Sequence, residues 1–125
     1  MTSEIKIEQW VNDIFKSIDT KDTELFSNFL SDDVHFRFGN MPHTLGKSAV
    51  TDQVSYFFDS IKSLKHQITE FWSHNDSIIC HGSVCYTRHD NSTLDIPFSN
   101  ILKLHKDKIR EYLIFVDVSE LYERQ

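Results

Sequence analysis

Glycine is scarce in this 125-residue chain: Gly39, Gly46 and Gly82 are the only three. That excludes a glycine-rich loop of the kind that cradles a phosphate or a dinucleotide. Cysteine is scarcer still. Cys80 and Cys85 are the only two, too few for a disulfide framework and without metal-ligand spacing. Five residues apart on one strand, they point to opposite faces, which argues against a bridge between them. Basic charge is also in deficit: 13 Lys plus Arg against 19 Asp plus Glu give a formal net charge of −6. That is the wrong balance for a nucleic-acid surface or an anionic membrane. No apolar run approaches the roughly 20 residues of a membrane span; the longest, 112–116, is strand-sized. The opening Met1-Thr2-Ser3-Glu4 lacks the basic region and apolar stretch of a secretory signal. These absences lead us to expect an acidic, reduced, cytoplasmic protein.

What is present is hydrophobic pattern. With 39% hydrophobic and 26% charged residues, a chain of this length buries roughly two thirds of its unfolded surface. No repeat, linker or low-complexity tract divides it, so we expect a single domain over 1–125. Ile7, Trp10, Val11, Ile14, Phe15 and Ile18 recur at three-and-four spacing and predict a first helix. Residues 19–22 break that stripe, and Asp22 can cap a shorter helix carrying Leu25, Phe26, Phe29 and Leu30. The period then changes to two, because Val34, Phe36 and Phe38 alternate with His35 and Arg37. After a loop over 39–46, Ser48 can cap a third helix with Val50, Val54, Phe57, Phe58, Ile61 and Leu64 on its apolar face. Four strands follow, near 67–74, 78–89, 94–105 and 109–118, with turn residues between them. Helices first and an antiparallel meander after predict an α+β fold.

This order, with Phe29-Leu30-Ser31-Asp32-Asp33-Val34-His35-Phe36, resembles the nuclear transport factor 2-like superfamily, especially its SnoaL-like members. The stretches Phe38-Gly39-Asn40-Met41-Pro42, Gly46-Lys47-Ser48-Ala49-Val50 and Glu111-Tyr112-Leu113-Ile114-Phe115-Val116-Asp117 support it. The resemblance implies a cone-like fold, with three N-terminal helices packed in a strongly curved, mainly antiparallel sheet around an internal pocket. It leaves the chemistry open, since fold does not fix function. The chain is similar in outline to ketosteroid isomerase, whose general-base Asp would fall at Phe38, oxyanion-hole Tyr near Ile14 and protonated Asp near Asn100. It is similar also to limonene-epoxide hydrolase, whose water-holding Tyr and Asn would fall at Phe38 and Asn40 and whose activating Asp at Ile114. Arg88-His89-Asp90 imitates that family's Arg-x-Asp pair. Most of the inherited machinery is therefore replaced by hydrocarbon.

Strand phase supplies other candidates. On 94–105 one face reads Leu94, Ile96, Phe98, Asn100, Leu102, Leu104, so Asn100 is the one polar member of an apolar row. A buried amide without a partner costs about 1–3 kcal/mol, which makes Asn100 either a structurally satisfied side chain or a pocket group. If Asn75-Asp76 and Asp90-Asn91 are two-residue turns, Glu70 lies opposite His81 and His81 opposite Asn100. A Glu70–His81–Asn100 ladder on one face could then move a proton, with His81 as base, Glu70 as its orienter, and Asn100 and Asn40 as polarising groups. The same ladder on the outer face would be plain surface. Trp72 shares the phase of Glu70 and can floor a pocket with Phe38 and Phe98. Asp117 and Arg88 read as an ion pair or rim contact. No two of the seven histidines have helical ligand spacing with a carboxylate, so no metal or other cofactor is expected. Cys80, Val84 and Tyr86, with Leu113 and Phe115, predict an apolar outer sheet surface and a homodimer. Two functions remain: cofactor-free proton transfer of isomerase, dehydratase or cyclase type on a small apolar oxygenated molecule, or a non-catalytic binding or dimerisation module. Epoxide hydrolysis ranks below both.

Overall fold

The computed structural model describes residues 4–122. Helix α1 (Glu4–Asp19) and the short α2 (Thr23–Ser27) precede strands β1 (Leu30–Phe38) and β2 (Thr44–Leu45). Helix α3 (Lys47–Asp59) follows, then β3 (Ser63–His74), β4 (Ser77–Thr87), β5 (Thr93–His105) and β6 (Lys108–Val116). The strands form one curved, unclosed sheet in the order β2-β1-β6-β5-β4-β3. Only the β1–β6 pair is parallel. The α+β cone expected from the sequence is the fold.

The helices form for the reasons their sequences give. The α1 stripe Ile7, Val11, Ile14, Phe15 and Ile18 is buried, and Trp10 meets Phe29 edge-on at 5.7 Å. Asp22 caps α2 by accepting the Leu25 N–H at 3.0 Å, as its position suggested. Helix α3 begins differently. Its cap is Gly46, at φ +94°, with no side-chain hydrogen bond, so Ser48 is not the cap. The helix also stops at Asp59; Ile61 is buried in the following turn and Leu64 belongs to β3.

The sheet's inner face packs on the helices in one hydrophobic cluster. Two irregularities decide which side chains reach that face. The β4–β5 connection spans five residues, because Thr87 pairs with Thr93; Arg88 N–H and Ser92 O close it at 2.8 Å. A two-residue turn would have paired His81 with Asn100. The observed register pairs Cys80 with Asn100 and His81 with Ser99, and a one-residue slip moves a side chain to the opposite face. Cys80, Val84 and Tyr86 are consequently core residues, 0%, 1% and 3% exposed, and do not form an outer surface.

The second irregularity is a bulge at Thr69, where the β3–β4 register shifts between Ile68/Gly82 and Glu70/His81. Gly82 permits it. A Cβ there would lie 1.9 Å from Gln67 O and 3.0 Å from Ile68 Cα, both backbone atoms. Gly82→Ala should therefore lose at least about 2 kcal/mol of stability in urea unfolding. Ser83→Ala, one residue away on the outer face, should change it by less than about 0.5 kcal/mol. A Gly82→Ala protein as stable as the parent would mean that the close approach is not a constraint.

Candidate functional site

Between the helices and the inner sheet face lies a cavity of about 470 Å³. Its walls are rich in aromatic side chains: Phe26, Phe36, Phe38, Phe57, Phe98 and Tyr112 all contribute. The exposed lining residues Met41, Tyr56 and Tyr122 mark its mouth, where the Ser60 and Tyr122 hydroxyls bond at 2.8 Å. No Lys or Arg lines it among the described residues.

His66 supplies the first polar group. It shares the phase of the buried Leu64 and opposes Val84, so β3 turns its ring to the inner face. There it packs against Phe15 at 4.9 Å and edge-on to Phe98 at 5.0 Å. Its side chain is only 10% exposed. Asp19, the last residue of α1, accepts the His66 backbone N–H at 2.9 Å through one oxygen. The other oxygen lies 2.6 Å from His66 Nδ1. A carboxylate at Nδ1 is an acceptor, which places the ring proton on Nδ1 and leaves a lone pair on Nε2. Lys21, at positive φ, donates to Ile61 O at 2.6 Å and ties the end of α1 to the approach to β3.

Asn100 is the second polar group. It is 2% exposed, lines the cavity, and its Oδ1 has no hydrogen-bond partner among the described residues. Of the alternatives left by the sequence, a satisfied amide or a pocket group, the geometry has Asn100 in the cavity lining with its Oδ1 unpartnered. Its neighbour Cys80 cannot act as an anion, because burial pushes that thiol up to about 12. Tyr86 and Tyr112 add two phenols. Burial raises both well above the ordinary tyrosine range, with Tyr122 and Asp19 adding to it for Tyr86 and Cys80 and Tyr86 for Tyr112. Both stay protonated donors at neutral pH.

The other sequence candidates divide between the cavity wall and the surface. Phe38 and Phe98 line the cavity. Asn40 is exposed in the turn after β1 and is not on the wall. Glu70 pairs with His81 as expected, Nε2 to Oε1 at 3.3 Å, but both are on the outer face, their side chains 58% and 41% exposed. Trp72 is beside them, 48% exposed and stacked on His81 at 5.6 Å. The three-residue ladder is therefore divided: Asn100 is inside, Glu70 and His81 outside. Arg88 donates to Leu121 O and Glu120 O, while Asp117 accepts the Ser119 N–H, so these two do not pair with each other. Among the described residues no group of three His, Cys, Asp or Glu side chains is arranged to hold a metal ion, and no helix is long and apolar enough to cross a membrane.

The sequence does not disclose the Asp19–His66 contact. His66 alone leaves a trace, since it interrupts the alternation Leu64, Ile68 as Asn100 interrupts its own row. Assigning Leu64 to α3 hid that phase.

The SnoaL-like domain family matches residues 11–112. The chain belongs to that family. Solved structures agree in fold at low sequence identity. A nuclear transport factor 2-like protein of unknown function from Burkholderia pseudomallei superposes with a TM-score of 0.81 at 14% identity, covering 91% of this chain and 92% of that one. A SnoaL-like protein from Jannaschia sp., named for polyketide cyclase activity, gives 0.80 at 11% identity over 97% and 93%. An epoxide hydrolase of LEH-like type from Mycobacterium tuberculosis gives 0.76 at 9% identity over 90% and 84%. No curated protein matches the sequence. Within this SnoaL-like domain, Phe38 and Ile114 add hydrocarbon to the cavity lining, and Asn40 is exposed.

Proposed function

We propose that this SnoaL-like domain is a cytoplasmic, cofactor-free proton-transfer enzyme of isomerase, dehydratase or cyclase type acting on a small apolar oxygenated molecule. The observation that carries this is His66 on an apolar cavity wall, held through Nδ1 by the Asp19 carboxylate. Its Nε2 lone pair accepts a proton from an acidic C–H of the substrate, and the electron pair stays on the substrate as an enolate. Asp19 stabilises the imidazolium so formed. Neutral hydroxyls of Tyr86 and Tyr112 supply donors for the enolate oxygen in a site shielded from water. The proton then returns to a different atom, so His66 ends as it began. Return to carbon isomerises the substrate; return to a departing hydroxyl dehydrates it.

Epoxide hydrolysis fits less well, since among the described residues no carboxylate lines the cavity to activate a water. A plain binding module remains the alternative that the experiment must defeat.

The outer sheet face supports a homodimer. Trp72, Ile79, Ile101 and Leu113 are successive partners across four strands, and Phe115 beside them is 53% exposed. Such a row is an apolar stripe suited to a second copy. Light scattering should give the mass of two chains, and Ile101→Glu should give one; a monomeric parent would sink the dimer.

Proton transfer is tested with 2-tetralone, a neutral bicyclic ketone, by following loss of its C1 proton signal in D₂O. The parent should speed exchange over buffer. His66→Ala should lose about 100-fold of that acceleration and Asp19→Asn about tenfold, each with an unchanged circular dichroism spectrum. Exchange no faster than buffer, or an equally fast His66→Ala, would leave the binding module as the function.

A further inference from the structure

One side of the cavity mouth is built from three segments that have no part in the proton-transfer assignment. The β4–β5 connection, 88–92, docks on the turn between α3 and β3: His89 Nε2 lies 2.9 Å from Asp59 O, and Lys62 donates to Asn91 Oδ1. The third segment is the chain after β6. It leaves the sheet at Val116, turns where Asp117 accepts the Ser119 N–H, and brings Val118 and Tyr122 to the cavity lining. Residues 117–122 belong to no helix or strand, and a segment near a chain end stays ordered only where it is tied down. Leu121 is one tie, a plug only 1% exposed. Arg88 is another: its Nε donates to Leu121 O at 2.8 Å and its Nη2 to Glu120 O at 3.0 Å. The same guanidinium reaches Ser92 Oγ at 3.1 Å and Thr93 O at 3.3 Å, so a rigid planar fork fastens the segment to the β4–β5 connection. Tyr122, one residue beyond, is held more loosely. Its ring is 54% exposed although it lines the cavity, and its hydroxyl meets that of Ser60 at 2.8 Å.

We propose that the Tyr122 ring is the door of the cavity, with its hydroxyl bond to Ser60 as the latch and Arg88 as the fixed post on which it turns. This rests on the cavity being the ligand site, whatever chemistry is done there. Of the exposed residues at the mouth, Met41, Tyr56 and Tyr122, the last is the one whose side chain bonds across the opening among the described residues. A bond between two neutral hydroxyls that face water has a small net strength, because solvent replaces either partner. Rotation of an exposed side chain takes picoseconds to nanoseconds once such a bond is broken. The latch is therefore weak enough to open without unfolding the post.

The door also stands close to the proposed chemistry. Burial and, after it, the Tyr122 phenol push Tyr86 up, which puts the door within electrostatic reach of a donor assigned to the substrate oxygen. Closed, the ring shields the cavity from water; open, it admits an apolar molecule. Arg88 does not touch the ligand in this arrangement and acts by positioning Tyr122.

Stopped-flow fluorescence with prodan, a neutral naphthyl ketone whose emission moves to the blue in apolar surroundings, tests the door. Tyr122→Phe keeps the ring and removes the latch. It should raise the association and dissociation rate constants together, by about two- to tenfold, and leave Kd within about twofold. Ser60→Ala should do the same, and the double variant should do no more than either alone. Hydrogen exchange tests the post. The Leu121 N–H, bonded to Val118 O at 2.9 Å, should exchange faster in Arg88→Met and at the parent's rate in Tyr122→Phe. Unchanged rate constants in Tyr122→Phe would overturn the proposal, as would additive effects in the double variant. A change confined to dissociation would make Tyr122 a ligand contact, and faster Leu121 exchange in Tyr122→Phe would make the whole segment the moving part; either overturns it. A parent that gives no blue shift removes the ligand site itself. The proton-transfer reading fails separately, when His66→Ala exchanges 2-tetralone as fast as a parent that still binds prodan.

Discussion

Asp19 is a carboxylate at the C-terminus of a helix, where the partial negative charge of the exposed carbonyls disfavours it by about 0.3–1 kcal/mol. Two hydrogen bonds from one residue of β3 offset that cost: the His66 backbone N–H and the His66 ring. This contact joins the first helix to a sheet edge formed more than forty residues later. It also orients the imidazole toward a space enclosed by phenylalanines. The Asp19 carboxylate is only part-buried, its side chain 23% exposed. The interaction makes sense as a fixed base held in an apolar room, and the Lys21–Ile61 tie nearby keeps the two elements in register.

The rest of the cavity follows from which strand phase faces inward. The bulge at Thr69, made possible by the missing side chain of Gly82, lets β3 present His66 inside along its first half and Glu70 and Trp72 outside along its second. The five-residue β4–β5 connection sets Asn100 beside Cys80 and faces it to the cavity. Polar groups therefore enter the apolar interior at few points: His66 with Asp19, the Tyr86 and Tyr112 hydroxyls, Asn100, and Gln53 with Ser60 near the mouth. Burial keeps the phenols and the Cys80 thiol neutral.

The sequence carried the architecture well, because periodicity is a long-range average over many residues. The α1 stripe, the Asp22 cap, the two-residue turn at Asn75-Asp76 and the Glu70–His81 pairing all emerge from local pattern. The site depended on single-residue offsets, where pattern is weakest. One misjudged turn length at residues 88–92 moved His81 from beside Ser99 to beside Asn100 and converted a surface pair into a catalytic one. The inner-face position of Asn100 is legible from its place in an apolar row, whereas the unpaired state of its Oδ1 is not. Nor is the Asp19–His66 contact, since it joins a residue taken for a helix breaker to one at the margin of a strand. Only tertiary packing brings them together.

The most direct test of the account is the tautomer of His66, read from long-range proton–nitrogen correlation spectra of the ¹⁵N-labelled protein at a pH where the ring is neutral. The structure predicts a proton on Nδ1, held by Asp19, and an unprotonated Nε2 whose resonance moves when 2-tetralone is added. In Asp19→Asn the preference for Nδ1–H should weaken. A ring protonated on Nε2, or an Nε2 resonance unmoved by saturating 2-tetralone, would contradict the claim that this histidine serves the cavity as a base.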